Sequence, residues 1–177
     1  MEREDSVTIE SIQRRIHGDP YNPGPHLDLA RAYLETGQEA KAREIVLRRR
    51  RMPSGNPVIH EGWAELCEEL GMARQARECY ENALRADPEN SKTMYRFALF
   101  LSETGHYEKS LHYLKKAVRL SADDPTIHEH LGDAYAQKGD YEKALAYYRK
   151  ALALDHPKEA QLKKKISQVQ NRLKKNH

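Results

Sequence analysis

Histidines are the residues of this sequence that first suggest chemistry, because a neutral imidazole is a common metal ligand. His26, His60 and His128 are separated by one fixed interval and by twice that interval. We expect each to lie on a different helix, so we interpret them as packing residues and predict no metal site. His128-Glu129-His130 also lacks the four-residue spacing that places both histidines of a zinc protease on one helical face.

The two cysteines, Cys67 and Cys79, are the next candidates for chemistry. They are too few and too close for a disulfide framework, and neither belongs to a Cys-x-x-Cys pair. We expect two reduced, buried thiols. Because the sequence also has no glycine-rich phosphate loop after a strand and no nucleophile in a recognisable motif, we predict no enzyme and no cofactor.

A small set of basic residues could bind an anion. Lys92 and Arg96 are four residues apart, so their side chains leave the same face of a helix, and Arg31 is expected to approach from two helices away. Alternatively, Lys92 and Arg96 form ion pairs with Glu61 or Glu65, which would be structural and only weakly stabilising in solvent. The sequence leaves both interpretations open.

The charge of the chain is nearly balanced, with a formal net charge of +3. Seven Lys or Arg and one acid, Glu159, lie between Lys158 and Lys175, so this segment carries +6 and the remainder −3. Balance of this kind does not by itself indicate nucleic acid, and we do not expect nucleic acid as the partner. The basic tail nevertheless keeps open an alternative in which it binds nucleic acid or an anionic surface.

The hydropathy pattern predicts no membrane span. No stretch approaches 18 uninterrupted apolar residues, and the amino terminus lacks the apolar segment of a secretory signal. We therefore expect a cytoplasmic protein.

Four glycines at a constant interval reveal an internal repeat: Gly37, Gly71, Gly105 and Gly139. With glycine at the fifteenth position, the predicted repeats are 23–56, 57–90, 91–124 and 125–158. Each glycine falls where a first helix should end, so we expect a left-handed helix cap there and a helical hairpin in every repeat.

Other columns of the repeat alternate large and small residues, as two crossing helices require. The seventh, eighth and eleventh positions are Leu29, Ala30 and Tyr33; Trp63, Ala64 and Cys67; Phe97, Ala98 and Leu101; and Leu131, Gly132 and Tyr135. Positions 20 and 24 are likewise a small and a large residue. They are Ala42 and Val46, Ala76 and Tyr80, Ser110 and Leu114, and Ala144 and Tyr148 in the four repeats.

These columns resemble the tetratricopeptide repeat, a 34-residue unit with a large and a small residue at seven and eight, an aromatic residue at eleven, glycine at fifteen and alanines at twenty and twenty-seven. The resemblance covers residues 23–158 and is clearest in the fourth repeat. It implies an all-α fold, a right-handed α-solenoid of four helix-turn-helix repeats.

Both ends of the chain are predicted to extend the array. Residues 1–22 are expected to be a half-repeat with a helix over roughly residues 5–17, and residues 159–177 a basic capping helix. The narrow apolar stripe of this capping helix consists of Leu162, Ile166, Val169 and Leu173. The alternative is that the helix pairs with a partner or with a second copy of the chain.

The first repeat departs from the pattern of the others. Arg49 and Arg50 stand where the other repeats have Ala83-Leu84, Ala117-Val118 and Ala151-Leu152. We expect the second helix of this repeat to end early, and the lost burial to leave a flexible joint after it. We interpret the run from Arg48 to Arg51 as a solvated face.

The resemblance also implies that the first helices line a concave groove. The predicted groove residues are Leu27, Asp28, Arg31 and Leu34; Val58, Glu61, Glu65, Glu68 and Glu69; Lys92, Tyr95, Arg96 and Leu99; and Glu129, His130, Asp133 and Gln137. Some chaperone-binding members of the family clamp a terminal carboxylate with five residues. Lys92 and Arg96 match two of these, whereas Leu27, Arg31 and Gly62 occupy the other positions.

We therefore predict a non-catalytic scaffold or adaptor that binds a peptide or helix of a partner protein in this groove. Apolar anchors near Leu34, Tyr95 and Leu99 would supply affinity, and the charged residues would set the register. The alternatives are self-assembly into a homo-oligomer through the terminal helices and binding of nucleic acid or an anionic surface by the basic tail.

Overall fold

The computed structural model describes residues 8–175, which form ten helices and no strand. The helices are α1 (Ile9–Gly18), α2 (Pro23–Glu35), α3 (Glu39–Arg49), α4 (Pro57–Glu69), α5 (Ala73–Ala86), α6 (Ser91–Glu103), α7 (Tyr107–Leu120), α8 (Pro125–Gln137), α9 (Tyr141–Ala153) and α10 (Glu159–Lys175). The predicted all-α fold is thus confirmed. The helix predicted over residues 5–17 is α1, and residues 5–7 lie outside the described part of the chain.

The helices group into two compact units. Unit 1 is Met1–Pro88, whose described part contains α1 to α5, and unit 2 is Glu89–His177, whose described part contains α6 to α10. In unit 1, α2 pairs with α3 and α4 with α5, while α1 and α4 both contact α2. In unit 2, α6 pairs with α7 and α8 with α9, α7 contacts α8, and α10 packs on α9.

Each first helix begins at a side chain that caps its free backbone N–H groups. The capping residues recur once in every repeat and accept hydrogen bonds of 2.8 to 3.0 Å; they are Asn22, Asn56, Asn90 and Asp124. Proline follows three of the four caps, where its missing N–H has no consequence because the first turn of a helix leaves that group unpaired.

The same first helices end at the repeat glycines, which all adopt the predicted left-handed conformation. Their φ angles are +74°, +67°, +79° and +79° at Gly37, Gly71, Gly105 and Gly139. The residue after each glycine donates its N–H to a carbonyl five residues back, at 2.7 to 3.0 Å. The closed turn directs the chain into the second helix of the hairpin.

The histidine column is buried, as the packing interpretation predicts, with His128 only 1% exposed. It also carries a repeated hydrogen bond that the sequence pattern did not indicate. The Nε2 atoms of His26, His60 and His128 lie 2.8 to 2.9 Å from carbonyl oxygens six residues earlier. Each of these histidines therefore ties the start of a first helix to the connection that precedes it.

The eighth position of the repeat is where the helices of a hairpin approach most closely. Ala30, Ala64 and Ala98 have no exposed surface. In the fourth repeat even a methyl group is too large, since a Cβ added to Gly132 would lie 2.4 Å from Tyr148 Cε1. Large side chains beside these small ones fill the core, and they include Trp63, Phe97 and Leu131.

Cys67 and Cys79 are part of this core in unit 1 and are both free, as predicted. Neither thiol has exposed surface. A hydrogen bond to Cys79, together with burial, raises the pKa of the Cys67 thiol above its usual value. Both thiols therefore behave as packing groups and lack the exposure of a reactive cysteine, and the raised pKa of Cys67 also disfavours its thiolate.

The second helix of the first repeat ends early, as predicted, because α3 has 11 residues whereas α5 and α7 have 14. The interpretation of the arginine run as a solvated face is wrong for Arg50, whose side chain is only 8% exposed. Arg50 binds Glu78 Oε2 at 3.0 Å, and Arg51 Nε binds Glu78 Oε1 at 2.7 Å.

A flexible joint after the first repeat stays a prediction, although these ion pairs lie at its position. Glu78 lies on α5, so it connects the end of the first repeat to the second, and both repeats belong to unit 1. The buried Arg50 guanidinium replaces part of the burial that the missing leucine would have provided.

Helix α10 covers the end of unit 2. Leu162 and Val169 of the predicted apolar stripe are buried, whereas Ile166 and Leu173 are half-buried. These contacts favour the interpretation of α10 as a cap on α9. Among the described helices, none has both the length and the apolar character needed to cross a membrane.

The close contact at Gly132 predicts a loss of stability on adding a single methyl group. Gly132→Ala should lower the free energy of unfolding by about 1 to 3 kcal/mol, because the Tyr148 ring must move in a packed core. Urea denaturation measures the change. Gly18→Ala is the matched control, since its Cβ would meet nothing within 4 Å; equal stability of the two variants would contradict the proposed steric cause.

The buried guanidinium of Arg50 yields a second stability prediction. Arg50→Met should destabilise the protein by about 1 to 3 kcal/mol, because it removes a partner of Glu78 and of the Leu47 carbonyl. Arg49→Met alters an exposed neighbour and should change stability by less than about 0.5 kcal/mol. Thermal unfolding of both variants measures these changes in stability. An Arg50→Met variant as stable as the wild-type chain would mean that the Arg51–Glu78 ion pair is sufficient for this contact.

Candidate functional site

In unit 1, several predicted groove residues are already engaged with one another. Arg31 Nη2 binds Glu65 Oε2 at 2.9 Å, with both side chains partly exposed. Arg31 therefore has a carboxylate partner within its own unit. It is not available as an unpaired cation for the predicted anion site. Two further groove acids are also bound, since Asp28 pairs with Arg15 at 3.0 Å and Glu68 accepts a hydrogen bond from Tyr80 at 2.5 Å.

The remaining predicted residues of unit 1 differ in exposure. Leu27 is buried against Gly62, where an added Cβ would lie 2.5 Å from Leu27 Cδ2. Glu61 is also buried, whereas Leu34 is half-buried. Val58 and Glu69 are exposed, so a partner could contact them as well as Leu34 and the Arg31–Glu65 pair.

In unit 2, the predicted basic and aromatic residues lie along α6. Lys92 is exposed, and Arg96, one turn later, is half-buried. The Tyr95 ring contacts the His130 ring on α8, with centroids 5.4 Å apart. Burial raises the pKa of Tyr95 to about 12 and lowers the pKa of His130, so both rings are uncharged at neutral pH.

The acidic groove residues of unit 2 bind a lysine of α10. Lys165 Nζ lies 2.6 Å from Glu129 Oε1 and 2.8 Å from both carboxylate oxygens of Asp133. Asp133 also accepts a hydrogen bond of 2.7 Å from the Tyr148 hydroxyl. This network joins α8, α9 and α10.

Burial opposes ionisation of both Glu129 and Lys165, but their contacts outweigh it. Hydrogen bonding and charge from Lys165 hold the pKa of Glu129 below its usual value. In return, Asp133 and Glu129 raise the pKa of Lys165. The two groups are thus both charged at neutral pH, as an ion pair requires.

His156 lies next to Glu129 of the same network. Its Nδ1 accepts the backbone N–H of Lys158 at 3.0 Å, and its Nε2 faces Glu129. That atom is 2.9 Å from Glu129 Oε2 without the angle of a hydrogen bond, so the contact is electrostatic.

Beside the network is a cavity of about 430 Å³, formed by helices of unit 2. Its apolar surface comes from Leu99, Leu114 and Val169, and its polar surface includes His130, Asp133, Gln137, Tyr141, Lys165, Gln168 and Arg172. Cavities that bind small ligands measure roughly 300 to 1,000 Å³. The cavity brings together four of the predicted groove residues, Leu99, His130, Asp133 and Gln137.

Sequence reasoning missed the contribution of α10 to this cavity. Lys165, Gln168 and Arg172 are spaced three and four residues apart, so they form a polar stripe beside the apolar one. That spacing is visible in the sequence. The spacing alone does not indicate that this stripe lies against Glu129 and Asp133, because that depends on the distance between α8 and α10.

The geometry does not favour metal binding. Within residues 8–175, no group of three or more His, Cys, Asp or Glu side chains is placed to hold a metal ion. Asp133, which lines the cavity, instead binds Lys165.

The Lys165 network predicts a pH-dependent contribution to stability. Because the pKa of Glu129 is lower in the folded state than its unfolded value of about 4.3, the contact stabilises the fold above that pH and is lost as pH falls through the folded pKa. Lys165→Met should therefore cost about 1 to 2 kcal/mol at pH 7, discounted for partial exposure, and much less near pH 3.

The control is Lys164→Met, which changes an exposed neighbour on the same helix. Urea denaturation across this pH range compares the variants. If Lys165→Met and Lys164→Met followed the same pH profile, the contact with Glu129 would contribute nothing.

Comparison with known proteins places this geometry in a family. The family model for the tetratricopeptide repeat matches residues 62–164, which is more than half of the chain. No curated protein matches the chain at a significant level of similarity.

Among solved structures, the chain is similar in fold to MamA, with 19% identity and a TM-score of 0.71 over 85% of this chain and 88% of that one. It is also similar to YrrB, a tetratricopeptide repeat protein with an unusual peptide-binding site, with 18% identity and a TM-score of 0.65 over 93% and 94% of the two chains. For PilF of Pseudomonas aeruginosa, the identity is 20% and the TM-score 0.68 over 86% and 69%. On the family match and the helical hairpins together, the chain belongs to the tetratricopeptide repeat family.

Proposed function

We propose that the protein is a non-catalytic scaffold that binds a peptide or helix of a partner protein on its first helices. The observation that carries this proposal is the cavity of unit 2, whose lining combines apolar and polar side chains. Tetratricopeptide repeat proteins are generally non-catalytic scaffolds. The fold is also that of YrrB, so a tetratricopeptide array of this kind can hold a peptide.

The cavity would take one apolar side chain of the partner. Leu99 is half-buried and Val169 is buried, so an inserted side chain would cover apolar surface that water now contacts. The Tyr95–His130 pair lies beside Leu99 on the same two helices and would provide a rigid aromatic edge.

Charged residues around the cavity would set the orientation of the partner. Arg172 is exposed, and its guanidinium lies 3.3 Å from the Tyr141 hydroxyl, so it could receive a carboxylate. Lys92 and Arg96 are proposed as a second basic contact along α6. Glu129 and Asp133, which already bind Lys165, would act by holding α10 in place.

Unit 1 is proposed to contribute a separate set of contacts. Leu34 would be an apolar contact, and the Arg31–Glu65 pair would offer one charge of each sign. Leu27 and Glu61 are buried, so they would support this surface without contacting the partner directly. We also propose that the functional repeats have the limits 23–56, 57–90, 91–124 and 125–158.

The test uses peptides selected from a random displayed library against the intact chain. Affinities of the selected peptides are then measured by fluorescence polarisation for the wild-type chain and for Leu99→Ala. Loss of a buried apolar contact should weaken binding by roughly tenfold. Lys92→Ala with Arg96→Ala should weaken acidic peptides in particular.

Leu120→Ala is the matched control, because Leu120 is an exposed leucine of unit 2 that lies on α7 and does not line the cavity. Circular dichroism verifies that each variant is folded. If the selected peptides bind Leu99→Ala as tightly as the wild-type chain, the proposal that the cavity binds them is wrong.

A further inference from the structure

The charges of unit 2 are segregated by helix. Helices α7 and α9 contain seven Lys or Arg and two acids, Glu108 and Glu142, which gives +5. The remainder of residues 89–157 contains three Lys or Arg and eight acids, which gives −5. A segment that is neutral as a whole therefore has strongly basic second helices.

The basic residues recur at repeat-equivalent positions and form one surface, which we call the second-helix face. It consists of Lys109, Lys115, Lys116, Arg119, Lys143, Arg149 and Lys150, all of them exposed. Three pairs occupy equivalent positions of the third and fourth repeats, namely Lys109 and Lys143, Lys115 and Arg149, and Lys116 and Lys150. The equivalent residues of the second repeat are Gln75, Glu81 and Asn82, so folding of the repeat does not require these cations.

Contacts with Tyr135 bring the cations of the two helices together. Lys115 Nζ of α7 is 5.5 Å from the centroid of this ring, and Lys143 Nζ of α9 is 5.3 Å from it. One aromatic ring therefore has an ammonium group from each of the two helices beside it. The second-helix face is thus continuous from α7 to α9.

The acids of the chain leave most of this charge uncompensated. Within residues 8–175, Lys143 is the only one of the seven cations with a carboxylate partner, Asp140 at 2.5 Å. Glu108 is bound by Lys138, which does not belong to the face. Unpaired, exposed cations clustered in this way attract a polyanion and release its counterions.

Two exposed aromatic side chains lie on α7, the helix that also carries four of the cations. Tyr107 at the start of α7 is 55% exposed. His112 is also exposed, and its ring meets the Tyr113 ring edge-on at 5.5 Å. Exposed rings within a basic surface are the combination on which the bases of a single strand stack.

We propose that the second-helix face binds single-stranded nucleic acid through its phosphate backbone. The cations would neutralise phosphates without reading sequence, and Tyr107 and His112 would stack on bases. A membrane surface fits less well, since Leu120 and Tyr107 are the only large hydrophobic side chains that the described part of unit 2 exposes. An acidic peptide would use the cations but has no need of the exposed rings.

This inference does not depend on the groove, because the face and the cavity use different side chains. It also differs from our expectation for the whole chain, which rested on a net charge close to balance. The total conceals the segregation, because the acids of the first helices and turns offset the cations of the second helices.

The test measures binding of a fluorescent, unstructured oligouridine to the full chain by anisotropy over a range of salt concentrations. With about four phosphates neutralised, the logarithm of affinity should fall with the logarithm of salt concentration with a slope of about −3. Removing four charges from the face, in Lys109→Gln, Lys116→Gln, Lys143→Gln and Lys150→Gln together, should weaken binding roughly tenfold or more and flatten this slope.

The matched control removes the same number of charges from the tail, in Lys158→Gln, Lys164→Gln, Lys174→Gln and Lys175→Gln together. All eight positions are exposed, so both variants should fold, which circular dichroism verifies. An equal loss in the tail variant would overturn the proposal, because binding would then reflect overall charge or the tail.

Two further measurements identify the partner and the surface. Polyglutamate and vesicles containing phosphatidylglycerol replace the oligouridine, and equal or tighter binding of either would overturn the assignment to nucleic acid. Ultraviolet crosslinking followed by mass spectrometry locates the contact. Crosslinks at Tyr107 or elsewhere on α7 and α9 support the proposal, whereas crosslinks confined to α10 contradict it.

Discussion

The close approach of two helices at the eighth position of each repeat is the constraint on which the rest of this structure depends. Alanine at this position in three repeats, and Gly132 in the fourth, allow the helices of a hairpin to pack at short distance. Large residues such as Trp63 and Phe97 can then fill the space on either side. Because the packing fixes the orientation of each first helix, it also fixes which side chains line the candidate groove.

Polar contacts define the ends of the helices and join elements that this packing brings together. The Asx caps and left-handed glycines define the ends of the first helices, and the buried histidines tie each of three first helices to the connection before it. Where the packing pattern fails, charged residues replace it, as Arg50 does beside Glu78 and Lys165 does between Glu129 and Asp133. In both places a long side chain with its partner joins neighbouring elements of one unit.

The two surfaces proposed to bind partners differ in the side chains that form them. Helices α6 to α10 all supply side chains to the cavity, which suits a peptide with one anchoring residue. The second helices α7 and α9 keep their buried columns, and their exposed positions carry the cations of the other surface. A repeat fold can therefore present two chemically different surfaces without changing its core.

The sequence by itself determined the family, the all-α fold, the left-handed glycines and the buried columns, because these follow from a packing pattern that recurs in every repeat. It also indicated Leu99, His130 and Asp133, which the cavity brings together. Only the tertiary structure decided that α10 lines this cavity, that Lys165 binds Glu129 and Asp133, and that Arg50 is buried. The physical reason is that apolar packing repeats with the backbone, whereas the partner of a long charged side chain depends on distances between helices that sequence spacing does not specify.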